Sequence, residues 1–387
     1  MEKTDMISIF SKLPDPRDPK KTTYPLIEVV FLTICSIISG IDHPTEMADF
    51  GNHILPWLRK YLPYANGIPA HDTIGRVFSL INPQDFFEAF LQWVPTLTDK
   101  LEGQQICIDG KTIRGSRDEL KKGNAIHIVS AYAKEKGLVL GQIKADEKSN
   151  EITAIPQLLE HLDIAGCLVS IDAMGTQKAI ADTIRRKEGD YLLALKGNQG
   201  NSHKDVKDFF DFVDEELAHG HEEAIAREYS MEYSEDIDKG HGRIEHRRLW
   251  KVEGIDWWQD PCKWKDVKCV MRIENTINTR NKTRTETRYY FSSADYSARD
   301  FIDKIRGHWG IENNLHWSLD VTFKEDQLRY RTGYAAENFN KVRHMAINLI
   351  KPLKSKERSK PSMKSCRMRS AYDAEFREKV LFQHIMR

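Results

Sequence analysis

Cys167-Leu-Val-Ser-Ile-Asp172 carries an acid at the end of a short apolar run, and Gln104-Gln-Ile-Cys-Ile-Asp109 does the same earlier in the chain. Apolar runs of this length, closed by turn residues, read as buried strands. Gly110 follows the first acid at once and Gly175 follows the second three residues on. An acid leaving an apolar strand lies at the rim of a buried sheet. Two such acids on neighbouring strands repel each other unless a cation lies between them. Read alone, the pair also fits two unrelated turn aspartates.

The segments around these runs decide between those readings. Strands are expected at 127–133 and 138–143, joined by a turn at Lys136-Gly137. A helix follows over 152–162 with Asn150 as its cap, then the strand ending in Asp172, a helix over 177–187 and a strand over 191–195 closed by Lys196-Gly-Asn198. The first three strands can form an antiparallel meander, and the later ones need helical crossovers. That order is the order of an RNase H-like core. The expected fold is therefore α/β: an RNase H-like core, followed by a β-rich stretch and preceded by an α-helical N-terminal domain.

Residues 1–98 read as that helical domain. Leu26 to Ile38 is an apolar run ended by Gly40, and Pro44 opens a pattern with Met47, Phe50, Ile54, Trp57 and Leu58 at helical spacing. Asp72 can cap a third helix over 73–81, and Asn82-Pro83 can open a fourth. A helix-turn-helix is one reading of the short basic-tipped helix after Gly67-Ile-Pro; plain packing is the other. A second domain is expected over 99–350, with strands at 244–252, 267–277 and 285–292 in a β-rich stretch covering about 223–295; the family resemblance given below implies that this domain is catalytic and the stretch an insertion in it. A Lys/Arg-rich tail covers 351–387.

Composition narrows the class. Lys+Arg and Asp+Glu are both 58, so the formal charge is zero. That disfavours coating nucleic acid through bulk charge but permits local basic surfaces beside an acidic site. The most apolar stretch, 29–38, is too short to span a bilayer. The cysteines at 35, 107, 167, 262, 269 and 366 form no C-x-x-C and no zinc-finger spacing, which suits a reducing cytoplasmic setting.

Further chemistry lies in Ile305-Arg-Gly-His-Trp-Gly-Ile-Glu-Asn-Asn-Leu-His-Trp-Ser-Leu-Asp320. At helical spacing His308, Glu312 and Asn313 or His316 share a face, with Trp309, Ile311, Leu315 and Leu319 on the apolar side. A solvated polar face is the plainer alternative. Lys111 and Arg114 follow Asp109 closely and can meet phosphate, as can Lys196 and Asn198; ordinary turn residues are the plainer alternative. His241, Arg243, Arg247 and Arg248 form a basic cluster in the insertion. There Arg243, Glu245 and Arg247 alternate on one strand face, where charge pairing competes with DNA contact. Glu325 and Asp326 are the fallback acids should Glu312 not serve.

Five segments together carry a resemblance: Asp-Gly-Lys-Thr-Ile-Arg-Gly-Ser at 109–116, Ile-Asp-Ala-Met-Gly-Thr-Gln at 171–177, Ala-Leu-Lys-Gly-Asn-Gln at 194–199, His-Gly-Arg-Ile-Glu at 241–245 and His-Trp-Gly-Ile-Glu-Asn-Asn-Leu-His-Trp at 308–317. The chain resembles the DDE insertion-sequence transposases, and within them the H-repeat-associated, Rhs-linked group. The resemblance implies that Asp109, Asp172 and Glu312 are catalytic acids holding Mg²⁺ or Mn²⁺, two ions per site. It implies cleavage at element ends and strand transfer on double-stranded DNA, by a homodimer on DNA in a prokaryotic, nucleoid-associated setting without a membrane partner. A catalytically silent DNA-binding remnant and an RNase H-like nuclease without strand transfer are the rival readings. The wider superfamily has a Tyr, an Arg and a Lys around its Glu where this chain has Ile305, His308 and Leu319. His308, Asn313 and His316 are then the candidates for the DNA-end contacts.

Overall fold

The apolar run at 26–38 is hydrophobic on every side, and a helix of that kind has to be surrounded. In the computed structural model it is helix α2, Leu26–Ile38, following α1, Asp5–Phe10, and almost every residue of α2 is buried. The structure describes residues 5–98, 100–117, 124–145, 151–240, 242–258, 263–280, 282–356 and 361–382. His241, Asn150 and Cys262 lie outside them.

Helices α3, Pro44–Leu58, α4, His71–Leu80, and α5, Pro83–Trp93, follow. The Asn82 side chain accepts from the N–H of Gln84 at 2.8 Å, and Pro83 takes the first helical position. Asp72, expected as a cap, lies inside the first turn of α4, which starts from Ala70 without a side-chain cap. Strand β1 runs Gln105–Ile113, β2 Ile126–Ala133 and β3 Leu138–Ala145. Then come α6, Glu151–Glu160, β4, Leu168–Ile171, α7, Lys178–Arg186, β5, Asp190–Leu195, α8, Asn201–Ala218, and α9, Glu222–Glu228. Strands β6, Met231–Gly240, β7, Arg243–Val252, β8, Cys269–Thr279, and β9, Thr283–Ser292, fill the insertion. Helix α10 is Ala298–His308, and α11, Ala335–Lys356, α12, Met363–Tyr372, and α13, Ala374–Phe382, end the chain.

These elements form two compact units that interleave in sequence. The first takes 1–100, 110–150 and 312–387; the second takes 101–109 and 151–311. In the first unit, α11 packs on α2, α4, α5 and β3. Asn348 of α11 exchanges two 2.8 Å hydrogen bonds with the backbone of Val139. The Lys/Arg-rich tail joins this core: Arg367 is buried, donating to the carbonyls of Ile37 and Thr322 and to Asp42.

In the second unit the strand order is β1-β4-β5-β9-β8-β7-β6. β1, β4 and β5 are parallel, and the rest pair antiparallel. Ala298, Phe301, Ile302 and Ile305 of α10 pack on Leu168, Leu192, Leu249, Met271 and Ile273. Burying each large apolar side chain there contributes roughly 1.5–3 kcal/mol, which holds the helix on the sheet.

Candidate active site

Strand pairing sets the first two acids. β1 and β4 run parallel with Ile108 opposite Ile171, so Asp109 and Asp172 each come one residue beyond a matched pair on adjacent strands. Such strands lie about 4.8 Å apart. Both aspartates are partly exposed. β1 continues through Gly110-Lys-Thr-Ile113 instead of closing at Asp109.

The loop after Asp172 is tightly held. Asp172 Oδ1 accepts from the N–H groups of Met174 (3.0 Å) and Gly175 (3.2 Å). A Cβ on Gly175 would lie 2.3 Å from Ile171 Cγ2 and 2.7 Å from Ile155 Cδ1, so only glycine lets the loop close here. The Thr176 hydroxyl donates to the carbonyl of Ala194 at 2.8 Å. Asn198 and Gln199 donate from their side-chain amides to the Ala173 carbonyl at 2.8 and 3.2 Å. The Lys-Gly-Asn-Gln segment therefore laces the Asp172 loop, with Lys196 exposed beside it.

Helix α10 ends against the same strands. Gln105 is buried and donates from Nε2 to Ser170 Oγ (3.0 Å) and to the Lys304 carbonyl (2.7 Å). His308 Nδ1 lies 3.1 Å from Ser170 Oγ. Burial pushes the His308 imidazole down to about 4, against the opposing pull of the Asp172 carboxylate. It is neutral near pH 7 and acts there by hydrogen bonding rather than by charge. Gln105 and Ser170 were not candidates from sequence; the only signal was a polar residue inside each apolar strand.

In the first unit, the chain passes through wide π-helical turns at Glu312–His316 and Ser318–Thr322. The uniform helical spacing expected for Glu312, Asn313 and His316 does not hold across them. Such turns recur at functional sites. Glu312 and Asn313 are exposed, and His316 is partly buried.

Glu325 differs sharply from Glu312. It is fully buried, and its carboxylate accepts from Asn340 (2.7 Å), Arg343 (3.1 Å) and Lys111 (3.3 Å). Lys111 also meets Asp320 at 2.7 Å and Asp326 at 3.5 Å. Burial alone would lower the Lys111 pKa, but Glu325, Asp320 and Asp326 outweigh it and leave it raised. Asp326 accepts from the N–H of Arg114, whose side chain stays exposed. A Cβ on Gly115 would lie 2.4 Å from the Leu328 carbonyl. The Asp-Gly-Lys-Thr-Ile-Arg-Gly-Ser segment thus seats the stretch after Glu312. Asn340, Arg343 and the buried His344 could have been suspected from polar residues at helical spacing inside an apolar helix.

On β7, Arg247 is 4% exposed and paired with Glu245 and with Asp236 at 3.2 Å, while Arg243 is exposed and meets Glu245 at 2.6 Å. The charge-pair alternative describes this face.

Among the described residues, no group of three or more His, Cys, Asp or Glu stands ready to hold a metal. Two carboxylates on adjacent strands, one with Oδ2 outside the loop hydrogen bonds, suit a hard divalent ion that completes its shell with water and phosphate. Among the described residues no helix is long and apolar enough to cross a membrane.

Sequence comparison gives the family. The family described as Transposase DDE domain matches residues 100–349, and a companion family described as DDE_Tnp_1-associated matches 7–94. The chain belongs to the DDE transposase family, which places it among the proteins of DNA transposition and insertion sequences. Within that family it is similar to "Putative transposase YncI" of Escherichia coli O157:H7, 40% identical over 93% of this chain and 92% of that one. It is also similar to "H repeat-associated putative transposase YhhI" of Escherichia coli strain K12, 42% identical over 90% of this chain and 91% of that one. Among solved structures, the cryo-EM piggyBac transposase synaptic complex with hairpin DNA covers 97% of this chain and 77% of its own, at 11% identity and a TM-score of 0.42, a likeness too loose to carry further statements.

Proposed function

We propose that this transposase cleaves double-stranded DNA at the ends of its element and transfers the freed 3′ hydroxyl to target DNA. Asp109, Asp172 and Glu312 are the catalytic acids in this reading, on an RNase H-like core, and would hold Mg²⁺ or Mn²⁺, two ions per site. Ions bound there supply Lewis-acid activation and offset charge at the reacting phosphorus. The observation that carries the reading is the register of β1 and β4, which aligns Asp109 and Asp172 at successive strands.

The other residues position these acids. Met174 and Gly175 N–H groups fix Asp172 Oδ1 and leave Oδ2 for the ion. Asn198 and Gln199 hold the loop, and the Ser170–His308 contact fixes the end of α10, four residues before Glu312. Exposed Arg114, Lys196 and Asn313 are DNA contacts in this reading, together with His316. The protein acts as a homodimer on DNA in the prokaryotic nucleoid, with residues 1–98 as the accessory domain, 99–350 as the catalytic domain and 351–387 as its tail.

Asp172→Asn tests the proposal. Asparagine keeps an oxygen for the Met174 and Gly175 donors but removes the charge a hard cation requires. On duplexes carrying the element's own ends, with Mg²⁺ or Mn²⁺, the variant should lose cleavage by on the order of a hundredfold or more while still binding. Wild-type protein that binds those ends and never cuts them would favour the silent remnant. Wild-type rates from Asp172→Asn would remove the aspartate from the mechanism.

A further inference from the structure

Within the first unit, residues of α4 and 329–332 line an open cleft, together with His43 and Pro44. Its lining includes Arg76, Arg329 and Arg331, all exposed, together with His43 and His71. One carboxylate, Asp72, lines it too, 3.2 Å from His71. None of the three arginine side chains makes an ion pair or hydrogen bond among the described residues. Arginines elsewhere are commonly matched, as Arg247, Arg272, Arg343 and Arg367 show. In a chain of zero net charge, three unmatched guanidiniums around one cleft concentrate positive potential there.

The walls are fixed before any ligand arrives. Tyr334 N–H donates to the Ser79 carbonyl at 3.1 Å, and a Cβ on Gly333, at φ +50, would lie 2.4 Å from that same oxygen. Asn338 Nδ2 donates to the carbonyls of Phe78 and Ile81 at 2.9 Å each. The Tyr330 ring stacks on Phe339 at 4.1 Å, and its hydroxyl donates to the Asp42 carbonyl.

Gly75 supplies an independent sign. It sits inside α4 and lines the cleft, yet a Cβ there would meet nothing within 4 Å. Glycine inside a helix costs about 1 kcal/mol relative to alanine, and among the described residues no neighbour requires the small residue.

We propose that this cleft binds the phosphate backbone of duplex DNA, with Arg76, Arg329 and Arg331 on the phosphates and Gly75 allowing close approach. The proposal rests on the transposase reading, and it gives the accessory helices and the segment after Glu312 a shared DNA surface. Guanidinium forks suit phosphate oxygens, and cations spread along an open cleft suit a chain of phosphates better than a single one.

The test is duplex binding by fluorescence anisotropy across a salt series, using full-length protein and the element's own ends. The Arg76→Ala/Arg329→Ala/Arg331→Ala variant should bind more weakly, and the slope of log affinity against log salt should fall by about 3, near 0.9 per lost phosphate contact. Gly75→Met fills the cleft while favouring the helix. It should raise the melting temperature and weaken duplex binding roughly tenfold. An unchanged salt slope in the triple variant, or unchanged affinity in Gly75→Met, overturns the proposal. So does preferential binding of single-stranded RNA at the cleft, or displacement of the duplex by millimolar inorganic phosphate. Cleavage by the wild type is scored separately, so lost chemistry with intact cleft-dependent binding counts against the catalytic reading alone.

Discussion

Glu312 and Glu325 lie close in sequence and have opposite environments. Glu312 is exposed, whereas Glu325 is buried between Asn340, Arg343 and Lys111. Removing a buried partner charge leaves uncompensated cations and costs several kcal/mol. Glu325→Gln should therefore destabilise the protein by about 2–4 kcal/mol, read as a lower thermal midpoint. Glu312→Gln should melt with the wild type. Equal melting of both variants would contradict the assigned burial. None of this was legible at residue scale in the sequence. The contact of Lys111 with Glu325 joins positions far apart in the chain, and only folding reveals it. The place of Asp172 just past a strand end was legible, because an apolar run and a nearby glycine are local signals, whereas β1 runs on past Asp109 to Ile113. The Gly175 contacts explain why that glycine stands there.

At the scale of elements, periodicity found what is apolar and missed what is polar. β4 throughout and β5 after Asp190 are buried and read directly from their composition. β6, Met-Glu-Tyr-Ser-Glu-Asp-Ile-Asp-Lys-Gly, carries little apolar signal and forms through its ladder to β7. The stretch from 223 to 230, expected as the start of the β-rich insertion, is mostly helix α9, and the strands begin at Met231. The π-helical turns after α10 were not legible, because no spacing rule distinguishes them from an α-helix. The β7 pairs give this scale its prediction. Arg247→Ala leaves Glu245 buried with a partner removed and should cost about 3 kcal/mol. Arg243→Ala, at an exposed pair, should stay within about 1 kcal/mol. Chemical denaturation of the two single variants measures the difference, and comparable losses would mean the two arginines share one environment.

Across the whole molecule, two units interleave in sequence, so neither contains one continuous stretch of chain. Three strands, a helix and two more strand-helix steps could be read in order, but their division between the units could not. The zero net charge conceals both matched pairs, such as Arg272 with Asp214 at 2.6 Å, and the unmatched arginines of the cleft. The catalytic proposal depends on Glu312 joining Asp109 and Asp172 in one reaction. The most direct measurement is cleavage of the native element ends by Glu312→Gln beside the wild type in Mg²⁺, with DNA binding and melting recorded on the same preparations. The account predicts that the wild type cuts, while the variant folds and binds but produces neither cleaved ends nor strand-transfer product. A folded Glu312→Gln protein that cuts at the wild-type rate would contradict it.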